Sequence, residues 1–368
     1  MTAWLRERSA ILAVAIGSRG LVLAAAAADH WLHWPGGPPP PHGASTSHTL
    51  SILSYWDGAW YRTVADQGYL LIPGRQSDPA FFPLFPIVLR GLNGLGLSFL
   101  TSGLLVANVA FVVGIVAFYE VSRRLLPLDV ARMSAMLAAL FPMSFVFSMT
   151  YPESLVFAAL ALALVFALDG RWTLSAIAGA AAALGRPEAI FFALPLVAIA
   201  IGRARASGRV AGGRAIGAAF APVASVATFP LYLGWALDNV SAWSHAQRAW
   251  GRAFSLDGIV HAFQQLHEPG STPWLWRDVA FCLIYLGLLA AARRVGISGP
   301  WLVASAALVL LPLASGTFLS DARFGLLALP VYWGAAALAR RRVVRLPILV
   351  VSAALLVAGT MTIPLVNP

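Results

Sequence analysis

Long apolar runs separated by short polar stretches cover most of the 368-residue chain. A run of about 20 apolar residues is typical of a transmembrane helix, because it spans the hydrocarbon core of a bilayer. The pattern predicts about eleven helices, at 10–28, 101–121, 132–149, 154–168, 172–184, 189–202, 215–236, 279–292, 299–316, 324–339 and 346–364. We therefore expect an all-α polytopic membrane protein, with residues 1–368 forming a single transmembrane domain.

The first apolar run has two interpretations. Arg6 and Arg8 precede it and the small residues Ala24 to Ala28 end it, as in a secretory signal peptide with its cleavage site. Arg19, however, lies in the middle of the run, which disfavours an ordinary signal-peptide core. We favour an uncleaved first helix and keep cleavage as the alternative.

The distribution of arginine predicts the orientation of the helices. All 25 basic residues are arginines, and short cytoplasmic loops are enriched in arginine and lysine. The short basic loop 203–214 should therefore be cytoplasmic. This requires 154–168 and 172–184 to be two helices rather than one long helix, and it places the N-terminus and sixteen of the 25 arginines inside.

Residues 81–97 form another apolar run, but the charge distribution argues that this run is not a transmembrane span. Counting it would move Arg123, Arg124 and Arg132 to the outside. Its two prolines also disfavour a regular helix. We interpret it as an interfacial or re-entrant segment that packs against protein at membrane depth.

This topology gives two large external loops, 29–100 and 237–278, and it separates the acidic residues from most of the arginines. Eleven of the fifteen acidic residues lie outside: Asp29, Asp57, Asp66, Asp78, Glu153, Glu188, Asp238, Asp257, Glu268, Asp278 and Asp321. The seven histidines also lie outside: His30, His33, His42, His48, His245, His261 and His267. A general preference of external loops for acids explains the number, but not why acids lie beside aromatic clusters and at helix ends.

The densest aromatic cluster, Ser54 to Arg62, lies in the first external loop. As a helix it would carry an apolar stripe of the kind found at membrane surfaces, formed by Leu53, Trp56, Trp60 and Val64. Asp57 and Tyr61, four residues apart, share the neighbouring face. The cluster is either an aromatic belt with Asp57 in water, or a site where partial desolvation makes Asp57 a general base.

Three further groups of charged residues lie at external helix ends. They are Tyr151-Pro152-Glu153-Ser154, Gly185-Arg186-Pro187-Glu188 and Ser320-Asp321-Ala322-Arg323-Phe324. Glu153 at a helix N-terminus is favoured by the helix dipole, which is a structural role. Arg186 either pairs with Glu188 or holds a phosphate group, and Arg323 is unusual in a short external turn.

Three of these motifs follow one another along the external segments. They are Tyr55-Trp56-Asp57-Gly58-Ala59-Trp60-Tyr61-Arg62 through Gly68-Tyr69, then Phe81-Phe82-Pro83-Leu84-Phe85-Pro86, then Tyr151-Pro152-Glu153-Ser154-Leu155. Their order and spacing resemble the PIG-V family, the mannosyltransferases that add the second mannose in glycosylphosphatidylinositol assembly. The first two motifs are fairly specific, and the resemblance extends loosely over most of the chain.

The resemblance implies a GT-C-type glycosyltransferase fold and a polyprenyl-phosphate mannose donor. It implies inverting transfer, in which a β-linked donor gives an α-linked product, at the outer face of a bacterial plasma membrane. The acceptor does not carry over from the family, and we expect a lipid or a glycan. Asp57 would be the catalytic carboxylate. The family often has a glutamate shortly before its Phe-Phe-Pro run, where this chain has Asp78, so the role of Asp78 stays open.

These observations give a hypothesis for the site. Asp57 would accept the proton of the acceptor hydroxyl, while Arg186 and Arg323 stabilise the developing phosphate charge together with Arg248 or Arg252. The other residues predicted to bind substrate are Trp56, Trp60, Tyr61, Asp78, Tyr151, Glu153 and Glu188.

No cofactor is predicted from the sequence. A divalent metal is possible but not indicated, because the pairs His30/His33 and His261/His267 lack carboxylates at ligand spacing. Cys282 is the single cysteine, so an intrachain disulfide is excluded.

Composition agrees with a membrane protein. Only 11% of the residues are charged and the mean hydropathy is +0.77, whereas soluble domains carry about 25% charged residues. The net charge of +10 does not indicate a nucleic-acid partner, since the arginines lie in loops between apolar runs rather than on one polar face.

Three alternatives stay open. A secondary transporter would bury ionisable residues at the midplane and show repeated halves, whereas here Arg19 alone is plainly mid-span and no repeat is visible. A lipid-binding assembly protein would need no carboxylate in the aromatic cluster. A GT-C transferase of arabinose, glucose or galactose is the nearest alternative enzyme.

Overall fold

The computed structural model describes residues 2–33, 48–208, 210, 212–268, 273–297 and 299–366. Parts of both predicted external loops, 34–47 and 269–272, lie outside the described residues, as do His42 and Arg209. The described chain is helical throughout and contains no β-strand. The predicted all-α class is therefore confirmed.

Sixteen α-helices occur in the described part of the chain. In chain order they are α1 Thr2–His33, α2 Asp57–Gln67, α3 Leu84–Gly94, α4 Phe99–Leu125, α5 Leu128–Leu140, α6 Glu153–Leu168, α7 Trp172–Gly185, α8 Ala193–Ala206, α9 Gly213–Leu237, α10 Ala242–Ala249, α11 Gly258–Gln265, α12 Pro273–Ala292, α13 Gly299–Ala314, α14 Asp321–Phe324, α15 Pro330–Leu338 and α16 Arg342–Met361. Short 3₁₀ turns at Ser51–Ser54, Asp78–Ala80, Pro142–Ser148, Pro187–Phe192, Arg293–Val295 and Gly325–Leu327 connect several of them.

Within the described residues, six helices are long and apolar enough to cross a membrane. They are Glu7–Leu32, Phe99–Leu125, Pro187–Ala206, Gly213–Leu237, Trp274–Val295 and Val343–Met361. A seventh span results if the bent pair Leu128–Leu140 and Pro142–Ser148 is counted as one, and α6, α7 and α13 are shorter apolar helices. The protein is thus a multi-pass membrane protein.

Two uncertain assignments from the sequence are resolved. The segments 154–168 and 172–184 are separate helices, because the chain turns at Gly170, whose φ is +76°. Glycine adopts this conformation without the steric cost of a side chain. Helix α3 has eleven residues, about half the length that a bilayer span requires, as expected for the segment 81–97.

Two predicted continuous helices are broken. The predicted helix 132–149 bends by 70° between Leu140 and Pro142, because proline lacks the N–H of a helical hydrogen bond and forces the preceding residue into an extended conformation. The prediction of a single helix over 324–339 is also wrong. A 3₁₀ turn at Gly325–Leu327 follows α14, and Pro330 begins the nine-residue helix α15.

Small residues allow the helices to pack closely. A Cβ atom at Gly334 of α15 would lie 1.8 Å from the Leu288 carbonyl oxygen of α12, so the two backbones touch. At Gly114 of α4, an added Cβ would lie 2.6 Å from the ring of Phe157 in α6. Close approach at small residues is the usual packing mode of helices in membranes, where it increases van der Waals contact.

Ion pairs divide the loops into two groups that agree with the predicted topology. Residues predicted to be cytoplasmic pair with one another, as Glu120 does with Arg8, Arg123 and Arg124. Residues predicted to be external also pair with one another, as Arg323 does with Asp57. The charge distribution and the packing therefore indicate the same two sides, and which side is outside stays a prediction from the positive-inside rule.

Arg19 is a buried structural residue that holds the bent helix pair. Its guanidinium donates to the carbonyl oxygen of Ala139 at 3.2 Å and to that of Ser144 at 2.7 Å, and it lies 3.9 Å from the centre of the Phe111 ring. Ala139 is in the last turn of α5, whose carbonyl groups have no partner within the helix. One side chain of α1 thereby satisfies the backbone at the break after α5.

We expect loss of the hydrogen bonds from Arg19 to destabilise the protein. Arg19→Met removes its bond to the Ser144 carbonyl oxygen and leaves the Ser144 hydroxyl as donor to the Ala139 carbonyl oxygen, and a buried carbonyl group without a donor costs about 1–3 kcal/mol. Thermal unfolding in detergent should therefore begin at a lower temperature for Arg19→Met than for Arg90→Met, whose side chain is exposed on α3. Equal unfolding temperatures for the two variants would contradict this role of Arg19.

Candidate functional site

A strained turn places Asp57 at the start of α2. Trp56 has φ +59°, which is a rare conformation for a bulky residue and is found mostly where surrounding contacts hold it. The indole nitrogen of Trp56 donates to the Ile363 carbonyl oxygen at 2.7 Å. The predicted continuous stripe from Leu53 to Val64 is therefore wrong, since the helix begins only at Asp57.

The N-terminus of α2 lies directly against the Thr150–Tyr151 segment. The Asp57 N–H donates to the hydroxyl oxygen of Tyr151 at 3.0 Å, and that hydroxyl donates to the Tyr55 carbonyl oxygen at 3.2 Å. A Cβ atom at Gly58 would lie 2.5 Å from the Thr150 hydroxyl oxygen, so a larger residue would push α2 away. Tyr151 therefore positions the backbone of Asp57.

Five charged residues form a chain of alternating sign, which we call the ionic chain: Asp57, Arg323, Glu153, Arg186 and Glu188. Arg323 donates to Asp57 Oδ2 at 2.6 Å, and its Nε lies 3.4 Å from Glu153 Oε1. Arg186 donates to the same Glu153 oxygen at 2.5 Å, and its Nε lies 3.5 Å from Glu188 Oε2. The motifs that the sequence singled out thus meet in one place.

The ionic chain is largely withdrawn from water. Glu153 is 0% exposed and Arg323 is 4% exposed. Burial alone would lower the pKa of Arg323, but the carboxylates of Asp57 and Glu153 raise it overall. Removing one partner of such a buried pair leaves an uncompensated charge, typically at a cost of about 3–5 kcal/mol.

Arg252 differs from the other arginines of the site, because it forms no ion pair with any described residue. Its guanidinium lies 5.1 Å from the centre of the Phe324 ring and donates to the Leu319 carbonyl oxygen at 3.4 Å. Burial, together with the nearby charges of Arg323 and Arg186, lowers its pKa to about 10. At neutral pH it is therefore a cation without a carboxylate partner in the part of the chain described.

A polar cleft exposes one end of this arrangement. Its lining includes Asp57, Tyr61, Gly185, Arg186, Glu188, Gln247, Trp250, Arg252, Ser320 and Arg323. It has about 670 Å³ of empty space, part of it open to solvent. In the cleft, Asp57 Oδ2 is held by Arg323, and Oδ1 accepts no hydrogen bond from a described residue.

A second, apolar cleft adjoins the first. It has about 1140 Å³ of empty space and shares Pro187, Glu188, Gln247 and Arg252 with the polar cleft. Its other lining residues are mostly apolar: Ile190, Phe191, Trp243, Ser244, Arg248, Ala253, Phe254, Leu311, Pro312, Ser315 and Phe324. Arg252 therefore lies at the seam between a polar and an apolar cleft.

The structure separates the predicted site residues into two groups. Asp57, Tyr61, Arg186, Glu188 and Arg323 line the polar cleft. The other predicted residues, Trp56, Trp60, Asp78, Tyr151 and Glu153, are not among the residues that line it.

Residues of the second group contact the protein around the cleft. Trp60 stacks on Phe81 and meets Trp250 edge to face. Asp78 accepts a hydrogen bond from the Leu70 N–H at 2.7 Å, and burial raises its pKa to about 6. Their contacts in this structure are thus with the protein, and a contact of either residue with substrate stays a prediction.

Sequence reasoning missed two polar contributors to the site, Gln247 and Trp250. Gln247 donates to the Ala80 carbonyl oxygen at 3.2 Å, and the Trp250 indole donates to the Ser77 carbonyl oxygen at 3.3 Å. Both therefore connect the second predicted external loop to the first. The sequence feature that could have identified them is the run Gln247-Arg248-Ala249-Trp250, which is rich in polar and aromatic side chains. This run lies far in sequence from the other residues of the site.

Metal ligands do not cluster in the described residues. No group of three or more His, Cys, Asp or Glu side chains is arranged to hold an ion there. His261 instead contacts Asp257 at 3.0 Å on the exposed face of α11.

Comparison with known proteins gives a distant structural similarity. No protein-family model and no curated protein matches the chain, so the resemblance to the PIG-V family rests on motifs alone. Among solved structures, the chain is similar to the archaeal oligosaccharyltransferase AglB from Archaeoglobus fulgidus, in complex with an inhibitory peptide and a dolichol-phosphate, with a TM-score of 0.49 and 11% identity. The match covers 98% of this chain and 56% of that chain, so the chain spans little more than half its length.

Asp321 lies next to the site as a buried carboxyl group. It is 0% exposed, and neither of its oxygens has an N–H or O–H donor among the described residues. Burial raises the pKa of Asp321 to about 8. The charge of Asp278 also raises this pKa, whereas the hydrogen bond with the Cys282 thiol lowers it. Below that pH the group is neutral in the folded protein.

This pKa predicts a dependence of stability on pH. The folded state holds a proton on Asp321 between pH 4 and pH 8 that the unfolded chain releases, so stability falls as the pH rises across this window. Asp321→Asn removes that contribution, and its unfolding temperature should fall less from pH 5 to pH 8 than that of the wild type. The exposed residue Asp66 is the control, and Asp66→Asn should keep the wild-type slope. An unchanged slope in Asp321→Asn would contradict the assignment.

Proposed function

We propose that the protein is a membrane glycosyltransferase of the GT-C type. It moves a sugar, mannose by the PIG-V resemblance, from a polyprenyl-phosphate carrier to a lipid or glycan acceptor at the extracytoplasmic face of the cell membrane. The observation that carries this proposal is the seam of the two clefts. In the polar cleft, Asp57 has one oxygen that accepts no hydrogen bond from a described residue, and Arg252, which has no carboxylate partner among those residues, lines the same cleft.

The polar and apolar clefts match the two parts of such a donor. A sugar fits the polar cleft, where Tyr61, Glu188 and Gln247 offer hydrogen-bonding groups. An isoprenoid chain fits the apolar cleft between Phe191, Trp243 and Phe254. The phosphate between sugar and chain then lies at Arg252, which lines both clefts. Arginine suits this role because its guanidinium binds phosphate oxygens in pairs.

The ionic chain makes Asp57 the base of the reaction. Arg323 holds Oδ2, so Oδ1 is left to accept the proton of the acceptor hydroxyl. The acceptor oxygen bonds to the anomeric carbon, and the bond from that carbon to the phosphate oxygen breaks. The electron pair leaves with the polyprenyl phosphate, whose added charge Arg252 stabilises. Attack opposite the leaving phosphate inverts the anomeric centre, so a β-linked donor gives an α-linked product.

Replacement of Asp57 tests the catalytic assignment. Asp57→Asn keeps the size of the side chain but cannot take a proton, so transfer should fall by about 10²–10⁴-fold. The assay is radiolabelled polyprenyl-phosphate mannose in proteoliposomes with a bacterial lipid extract as acceptor, followed by separation of labelled products. Asp66→Asn, on the exposed face of the same helix, should retain wild-type transfer.

The donors in this assay also separate the alternatives. Transfer from a glucose, galactose or arabinose carrier, and none from the mannose carrier, would keep the GT-C assignment and change the sugar. A wild-type protein that transfers no sugar from any of these carriers is not a glycosyltransferase of this class. Wild-type transfer by Asp57→Asn would rule out Asp57 as the base.

Two arginines of the second external loop provide a matched test of phosphate binding. Arg252 is partly buried at the seam, whereas Arg248 is exposed and lines only the apolar cleft. A hydrogen bond to a charged group is worth about 1.5–3 kcal/mol, so Arg252→Gln should weaken binding of polyprenyl phosphate about 10-fold or more. Arg248→Gln should change it little. Quenching of tryptophan fluorescence by the added lipid measures both, and equal effects would contradict the special role of Arg252.

A further inference from the structure

We infer that Asp278 is a positioning residue, which holds the turn that carries Arg323 and thereby sets the orientation of Asp57. Asp278 is 0% exposed and lies near the start of α12. Its Oδ2 accepts a hydrogen bond from the Ser320 N–H at 2.9 Å, and its Oδ1 accepts one from the Ala322 N–H at 3.3 Å. The inference rests on the proposed function for its effect on transfer, but not for its effect on the turn.

The turn that Asp278 holds is a strained one. Ser320 has φ +70°, and such a conformation in a residue other than glycine is strained and persists only where neighbouring contacts over-determine it. Asp278 bonds the N–H of this very residue. Without the carboxylate, the turn is free to relax to a right-handed conformation, which would rotate the following residues.

Helix α12 holds the turn from a second point. The Tyr285 hydroxyl donates to the Ala322 carbonyl oxygen. A Cβ atom at Gly325 would lie 2.0 Å from the Tyr285 ring, so the backbone of the turn packs directly on that ring. Asp278 and Tyr285 therefore fix the turn on both sides of Arg323, whose side chain then reaches Asp57.

Substitutions at Asp278 separate positioning from a general loss of structure. Asp278→Asn keeps the shape, but its amide NH₂ group repels one of the two backbone N–H groups, and Asp278→Ala removes both acceptors. We expect kcat to fall about 10-fold in the first variant and further in the second. Asp129→Asn, exposed at the opposite group of loops, is the control and should keep wild-type kcat.

Two measurements test the inference, and the first is a double-mutant cycle of kcat. If Asp278 acts through Arg323, Asp278→Asn should reduce kcat no further in an Arg323→Gln background, whereas independent roles would multiply the two reductions. Multiplying effects, or an equal loss of kcat in Asp129→Asn, would overturn the inference.

Hydrogen–deuterium exchange of the peptide that covers 316–325 supplies a readout that does not depend on transfer. This peptide should exchange faster in Asp278→Asn than in the wild type, while peptides of α15 exchange at the wild-type rate. Unchanged exchange at 316–325, or equally faster exchange throughout the protein, would overturn the inference. A wild type without transferase activity would instead contradict the proposed function and leave the exchange test valid.

Discussion

The site depends on the position of Arg323 between two carboxylates that are far apart in sequence. Its partner Asp57 lies 266 residues before it, and Glu153 begins α6. Because buried charges are stable only when paired, this one guanidinium determines where α2 and α6 meet. Much of the local structure, including the strained residues Trp56 and Ser320 on either side, serves to bring these three side chains into contact.

A second constraint comes from the membrane. An enzyme that joins a sugar to a lipid-linked partner must hold a polar group and an apolar chain at one point. Here the two clefts share Arg252, and its pKa, which burial lowers only to about 10, leaves it charged at neutral pH. Arg252 is not part of the ionic chain and has no carboxylate partner among the described residues, so its charge remains to meet an anion. The arrangement therefore allows an anion to bind beside the carboxylate of Asp57.

The helices and the motifs could be predicted from the sequence better than the three-dimensional arrangement of the site could. Apolar runs located most of the helices because hydrophobic length is a local property, and the positive-inside rule separated α6 from α7. The break at Pro142 and the turn before Pro330 were missed, because an apolar run continues through them. Arg186, Glu188 and Arg323 were identified as candidates, whereas their link through Glu153 was not. That link depends on tertiary packing, as do the seam at Arg252 and the contacts of Gln247 and Trp250.

The most direct test of this account is a cryo-electron microscopy structure of the Asp57→Asn variant with intact polyprenyl-phosphate mannose in a lipid nanodisc. The account predicts the phosphate in hydrogen-bonding contact with Arg252, the isoprenoid chain in the apolar cleft beside Phe254, and the anomeric carbon facing the side chain at position 57. A donor bound elsewhere, such as in the apolar groove formed by Val109, Leu162 and Ile177, with the seam unoccupied, would contradict it.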